Sequence, residues 1–107
     1  MRPYEKAIDY NQKALEIKLA MLGDRHPDMA ISYNNLGDAY TGLCNFEDAI
    51  NYYKRAFDIF NDKLGGNHPY TKKCAENFAI CYSKTGNSAE AERYRYFSEN
   101  GRFPEDE

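Results

Sequence analysis

Apolar and small residues fall at Tyr33, Leu36, Gly37 and Tyr40, the i, i+3, i+4, i+7 spacing of one face of a helix. The next stretch continues in the same period through Phe46, Ala49, Ile50, Tyr53, Ala56, Phe57 and Phe60. Start and stop signals bound these runs. Pro27 and Pro69 suit a first helical turn, where the missing N–H costs nothing. Asn45 can cap the helix that Phe46 opens, with Glu47 and Asp48 well placed against the helix dipole. Asn87 or Ser88 can do the same for a last helix, and Gly86 suits the stop before it. The pattern predicts five helices, at about 3–22, 27–42, 45–63, 69–85 and 87–99, in an all-α chain of antiparallel helical hairpins. Residues 100–107 mix helix breakers with charge and are expected to form a flexible tail.

The pattern also returns on itself. Ala7-Ile8, His26-Pro27, Tyr40 and Ala49 each recur 42 residues later, as Ala49-Ile50, His68-Pro69, Tyr82 and Ala91. Residues 4–27 and 46–69 share ten identities in twenty-four positions, whereas residues 28–44 and 70–86 share only Asn35/Asn77 and Tyr40/Tyr82. One half of the unit is thus held alike while the other varies. The array spans 1–99: a lone second-type helix (3–22), one full hairpin (27–63) and another (69–99). Gly37, Ala49 and Ala56 leave gaps on facing helices that Tyr33, Leu36, Tyr40 and Tyr53 can fill.

Composition narrows the function classes. At 107 residues, 42% apolar, the chain can bury a real core as one domain. Fourteen basic and seventeen acidic residues, interspersed, give a net charge of −3, which argues against a nucleic-acid surface. No apolar run approaches the roughly 20 residues of a membrane span, and the first residues lack a signal peptide's apolar centre, so a cytoplasmic protein is expected. Cys44, Cys74 and Cys81 are expected to be reduced thiols acting as small core residues, and Cys74 and Cys81, about two helical turns apart, lie too far from each other for a shared metal. No phosphate loop, nucleophile elbow or metal-binding helix motif is present, and His26 and His68, each preceding proline, suit capping. A non-catalytic chain with no cofactor is the expectation.

The series Tyr33-x₂-Leu36-Gly37-x₂-Tyr40, then Ala49-x₃-Tyr53 and Ala56, resembles the tetratricopeptide repeat. The final proline of the usual unit is displaced by eight residues, to Pro69. This lengthened unit, opened by His-Pro and closed by Leu22-Gly23 and Leu64-Gly65, is similar to the kinesin light chain type. Asn11, Arg95 and Ser98 depart from the pattern, as capping units of a stack often do. The resemblance implies a short right-handed superhelix, an α-solenoid whose concave wall is lined by the first helix of each unit and binds extended or helical peptide segments.

On a helical wheel the off-core face of the first helices carries Ile31, Asn34, Asn35, Asp38, Thr41 and Gly42, then Lys73, Glu76, Asn77, Ile80, Ser83 and Lys84. The peptide-contacting candidates are Asn34, Asn35, Asp38, Thr41, Lys73, Glu76, Asn77, Ile80 and Lys84. An asparagine amide both donates to and accepts from a peptide backbone, and lysines can meet a carboxylate. The expected partner is a protein or peptide segment, with neither nucleic acid nor membrane. The alternative is a homo-oligomer through the N-terminal helix, whose Tyr4, Ile8, Leu15, Leu19 and Leu22 are expected to form an uncovered strip.

Overall fold

A computed structural model describes residues 2–106. Helices α1 (Pro3–Leu22), α2 (Pro27–Gly42), α3 (Phe46–Leu64), α4 (Pro69–Lys84) and α5 (Ser88–Asn100) follow in chain order, and a single 3-10 turn spans Pro104–Asp106. Each helix packs on the next, and α2 also touches α4. The result is a slab of 41 × 29 × 16 Å. A body this thin holds its core as a seam between helix layers, so every helix keeps a solvent face.

The connections show why the chain turns where it does. His26 and His68 precede the prolines that open α2 and α4, and each Nδ1 accepts the N–H two residues on (Asp28 and Tyr70), at 3.1 Å in both cases. The caps expected of both histidines are present. Within each hairpin the turn is a Schellman stop followed at once by an N-cap. The Asn45 N–H donates to the Tyr40 carbonyl at 2.9 Å, and the Asn87 N–H to the Tyr82 carbonyl at 2.9 Å. The same two asparagines then turn their side chains forward to accept from the N–H groups of Asp48 and Glu90. The stop needs one left-handed residue. The second unit supplies Gly86 (φ 85°), but the first uses Cys44 (φ 59°). Cys44 is therefore an exposed turn residue, correcting its expected place in the core, whereas Cys74 and Cys81 are buried.

Packing repeats with the sequence. Tyr40 stacks on Tyr52 at 5.5 Å between centroids, and 42 residues on Tyr82 stacks on Tyr94 at 5.8 Å. Gly37 receives the ring of Tyr53, and Phe57 stands at the centre of an aromatic cluster with Phe78, Tyr94 and Phe97. The stretch expected to be a flexible tail takes another course through residue 106. Phe103 lies 4.7 Å from the Phe97 ring and 5.3 Å from Tyr94, centroid to centroid, and the Arg93 guanidinium sits 3.9 Å over its face. Arg93 also donates to Glu105, which holds that carboxyl below its ordinary pKa. One aromatic residue among breakers is enough to fold the end of the chain back.

The strip expected to lie uncovered on α1 is so in part: Tyr4, Leu19 and Leu22 are exposed, whereas Ile8 and Leu15 are half-buried. Leu15 packs on the core, the Tyr4 ring lies over Gly42, and Lys18 donates to Ser32 at 3.1 Å, so this face of α1 serves α2. Tyr10, Ile17 and Met21, on a neighbouring face, are the most exposed of α1's large apolar residues.

Candidate functional site

The stripe read from the helical wheel is present. Ile31, Asn35 and Asp38 on α2, with Lys73, Glu76, Ile80 and Lys84 on α4, are exposed, and Asn77 is half-buried beside them. Four candidates play a further part. Asp38 Oδ1 accepts from the Tyr53 hydroxyl at 2.5 Å. Burial, and after it this bond to Asp38, raises the Tyr53 pKa above the usual tyrosine range, keeping the phenol a donor. Thr41 donates to the Gly37 carbonyl at 2.9 Å and lies 3.3 Å from the Tyr53 hydroxyl and 3.4 Å from Cys81 Sγ. Asp38 and Thr41 thus help to seat α3 and α4 against α2. Lys73 pairs with Glu76 at 3.4 Å, an exposed contact that a ligand can replace at little cost.

Between α2 and α4, at the end where both helices begin, lies a recess of about 220 Å³ lined by Ile31, Asn34, Phe60, Tyr70 and Lys73. Phe60 is buried and meets the Tyr70 ring at 5.8 Å between centroids. Asn34 is half-buried, and its Oδ1 is closed off with no donor in reach. A buried acceptor left without a hydrogen costs about 1–3 kcal/mol. Rotating χ2 presents either end of this amide to the recess. Tyr70 and Phe60 are absent from the sequence-derived candidates. Tyr70 was findable, because it precedes Lys73 by three and Asn77 by seven on one helix face. Phe60 was not, because core spacing and pocket floor look alike in one dimension.

A larger hollow, about 640 Å³, opens between α4 and α5. Its walls include Lys72, Glu76, Arg95 and Glu99. The positions 42 earlier are Ala30, Asn34, Tyr53 and Phe57, the surface on which α4 packs through Cys74 and Phe78. Charge has replaced three largely apolar residues and an asparagine at this seat.

The structure defines a tandem array of α-helical hairpins whose first helices present a variable polar face over a repeated core. The sequence profile of the tetratricopeptide repeat matches residues 1–62 and again 43–94, and the chain belongs to that family. No curated protein matches the chain. Repeats of this family generally mediate protein–protein interaction and are typically non-catalytic. Among the described residues no helix is long and apolar enough to cross a membrane.

Proposed function

We propose that the chain is an adaptor or scaffold module that holds an extended segment of a partner protein along the α2–α4 stripe. One observation carries this reading: the recess between the first helices, apolar at Ile31, Phe60 and Tyr70, with the unpartnered Asn34 amide oxygen and the Lys73 ammonium at its edge. A medium-sized apolar side chain fills the recess. A carboxylate on the same segment takes Lys73 from Glu76, and Asn35 and Asn77 hold its backbone. With two first helices the groove is short, and affinity in the micromolar range or weaker, about −8 kcal/mol, is expected. The 42-residue unit with His-Pro at its opening supports a kinesin light chain-like kind of repeat. A cytoplasmic setting belongs to the same reading and draws on three free cysteines.

The test is affinity capture with the full chain, using the Asn35→Ala/Asn77→Ala variant as control. Partner recovery should drop about tenfold while the thermal midpoint moves by less than about 4 °C. Equal recovery with the variant refutes the stripe, and an unfolded variant makes the two amides structural. A second reading, self-association through α1, has the exposure of Tyr10, Ile17 and Met21 in its favour. A mass that stays monomeric across a dilution series removes it.

A further inference from the structure

Residues 101–106 occupy a seat that the rest of the array does not repeat. The chain leaves α5 at Gly101, whose φ of 75° is left-handed, and then closes a turn on itself. The Asp106 N–H donates to the Phe103 carbonyl at 3.1 Å, and the Phe103 N–H to the Asp106 carboxylate at 3.3 Å. Side chains join this turn to the body. The Phe103 ring lies 5.9 Å from Phe57 of α3, centroid to centroid, and rests on Tyr94 and Phe97 of α5. The Arg93 guanidinium sits 3.9 Å over the same ring and meets Glu105 Oε1 through Nε at 2.6 Å and Nη2 at 2.5 Å. One arginine thus holds an aromatic ring and, two residues on, a carboxylate.

Three positions of the seat are particular to the second unit. Forty-two residues before Arg93, Phe97 and Phe57 stand Asn51, Arg55 and Leu15. Packing of the common repeat therefore calls for neither the arginine nor the ring beneath it. The closure is also slight. Ordering each residue of the turn costs conformational entropy, and the return is one half-buried ring, a cation–π contact and an ion pair open to solvent. Closed and open forms then lie close in free energy, and each opening uncovers Phe57, Tyr94 and Phe97 beside a free Arg93. Contiguous apolar surface of this kind marks an interaction site.

We propose that this seat of α3 and α5 is a second docking site, separate from the α2–α4 stripe, which residues 103–106 occupy in cis. Its ligand is a partner's segment of the same chemistry: an aromatic residue followed two positions later by a carboxylate. The ring enters the cluster of Phe57, Tyr94 and Phe97, and the carboxylate takes Arg93 from Glu105. The tethered turn competes at an effective concentration of about millimolar, so it restrains binding without abolishing it. A second copy's turn fits equally, but exchange adds no contact that each chain lacks in cis. A partner held here leaves the stripe free.

The test is fluorescence anisotropy with a tagged peptide of residues 101–106 added to the full chain. Phe103→Ala empties the seat and should tighten the peptide about tenfold or more over the parent. Arg93→Ala in that background should cost the gain, whereas Asn35→Ala/Asn77→Ala, on the stripe, should leave it whole. If Phe103→Ala does not fold, Glu105→Gln loosens the closure with the ring kept, and a gain of about threefold is required of it. Three results overturn the proposal. One is a peptide that binds the opened variants no better than the parent. Another is a gain that survives Arg93→Ala or is lost with Asn35 and Asn77. The third is a parent chain that dimerises on concentration while Phe103→Ala stays monomeric, because a second copy's turn then owns the seat.

Discussion

Replacing Gly37 by alanine pits helix propensity against packing, and the structure says packing wins. A Cβ built there stands 2.5, 2.6 and 2.9 Å from three carbons of the Tyr53 ring. Carbon–carbon contact is comfortable only near 3.5–4.0 Å, so the ring must retreat by roughly 1 Å. It has nowhere easy to go. The Tyr53 hydroxyl is tied to Asp38 at 2.5 Å, and Phe78 packs on the ring at 6.3 Å between centroids. Alanine gains about 1 kcal/mol of helix propensity over glycine. Overpacking costs about 1–3 kcal/mol, and a stretched bond to a charged acceptor forfeits about 1.5–3 more if it breaks.

The expected balance is a net loss of about 1–3 kcal/mol, read as a fall of about 5–15 °C in the thermal midpoint or as an earlier urea midpoint by circular dichroism. Tyr53→Leu in the same background should make the alanine less harmful, since residues in contact are not additive. The second unit is a built-in control. Its equivalent of Gly37 is Ala79, and the residue facing it is the exposed Arg95. Ala79→Gly should therefore destabilise by about 1 kcal/mol through propensity, and by somewhat more because the lost methyl is buried, the opposite response to the same group. A Gly37→Ala protein more stable than the parent would mean that α2 and α3 do not meet through Tyr53.

Cys44→Gly should stabilise the chain by roughly 0.5–1 kcal/mol in urea titration, because it removes a side chain from a left-handed turn where the other unit already has Gly86. Thr71→Val should stabilise by about 1 kcal/mol: Thr71 is fully buried, its Oγ1 has no partner, and its counterpart is the apolar Met29. High pH should weaken the fold. Burial raises the pKa of Tyr53 and Tyr94 above 10.0, to about 12 for Tyr94, so the folded state keeps protons that the unfolded state has lost. Their contribution is complete below the unfolded value and fades as pH rises through the folded one, by at most about 1.4 kcal/mol per pH unit and group. Tyr53→Phe should flatten that decline between about pH 10 and 11, and an unchanged slope would remove Tyr53 from the account.

Most of the fold could be read in one dimension because its punctuation is local. Proline after histidine, asparagine before a helix and glycine after one act within three or four residues, and the structure places each helix within a residue of the expected bounds. What escaped detection depends on partners distant in sequence. Cys44 sits among apolar residues, and only its alignment with Gly86 reveals a turn. Periodicity shows that α1 is amphipathic on two sides without saying which side α2 claims. Phe103 has no period at all, and the rings it meets belong to α3 and α5. At the site, the wheel gave the stripe, but the partners of Asp38 and Thr41 become visible only once α3 is in place.

The two units then explain why such a stripe can vary at all. Ala49, Tyr40, Tyr52 and Asn45 return 42 residues on as Ala91, Tyr82, Tyr94 and Asn87, and these hold the hairpin together. Ile31 and Asn34 return as Lys73 and Glu76, and the hairpin forms regardless. Asp38 crosses this division, because its change to Ile80 strips a stripe residue that also anchors the core. The change does not come alone. Gly37 becomes Ala79 and Tyr53 becomes Arg95, so the cleft, the ring that fills it and the carboxylate that holds the ring are exchanged together. Within this fold a stripe residue is free to change when it carries no packing, and where Asp38 does carry packing its partners change with it.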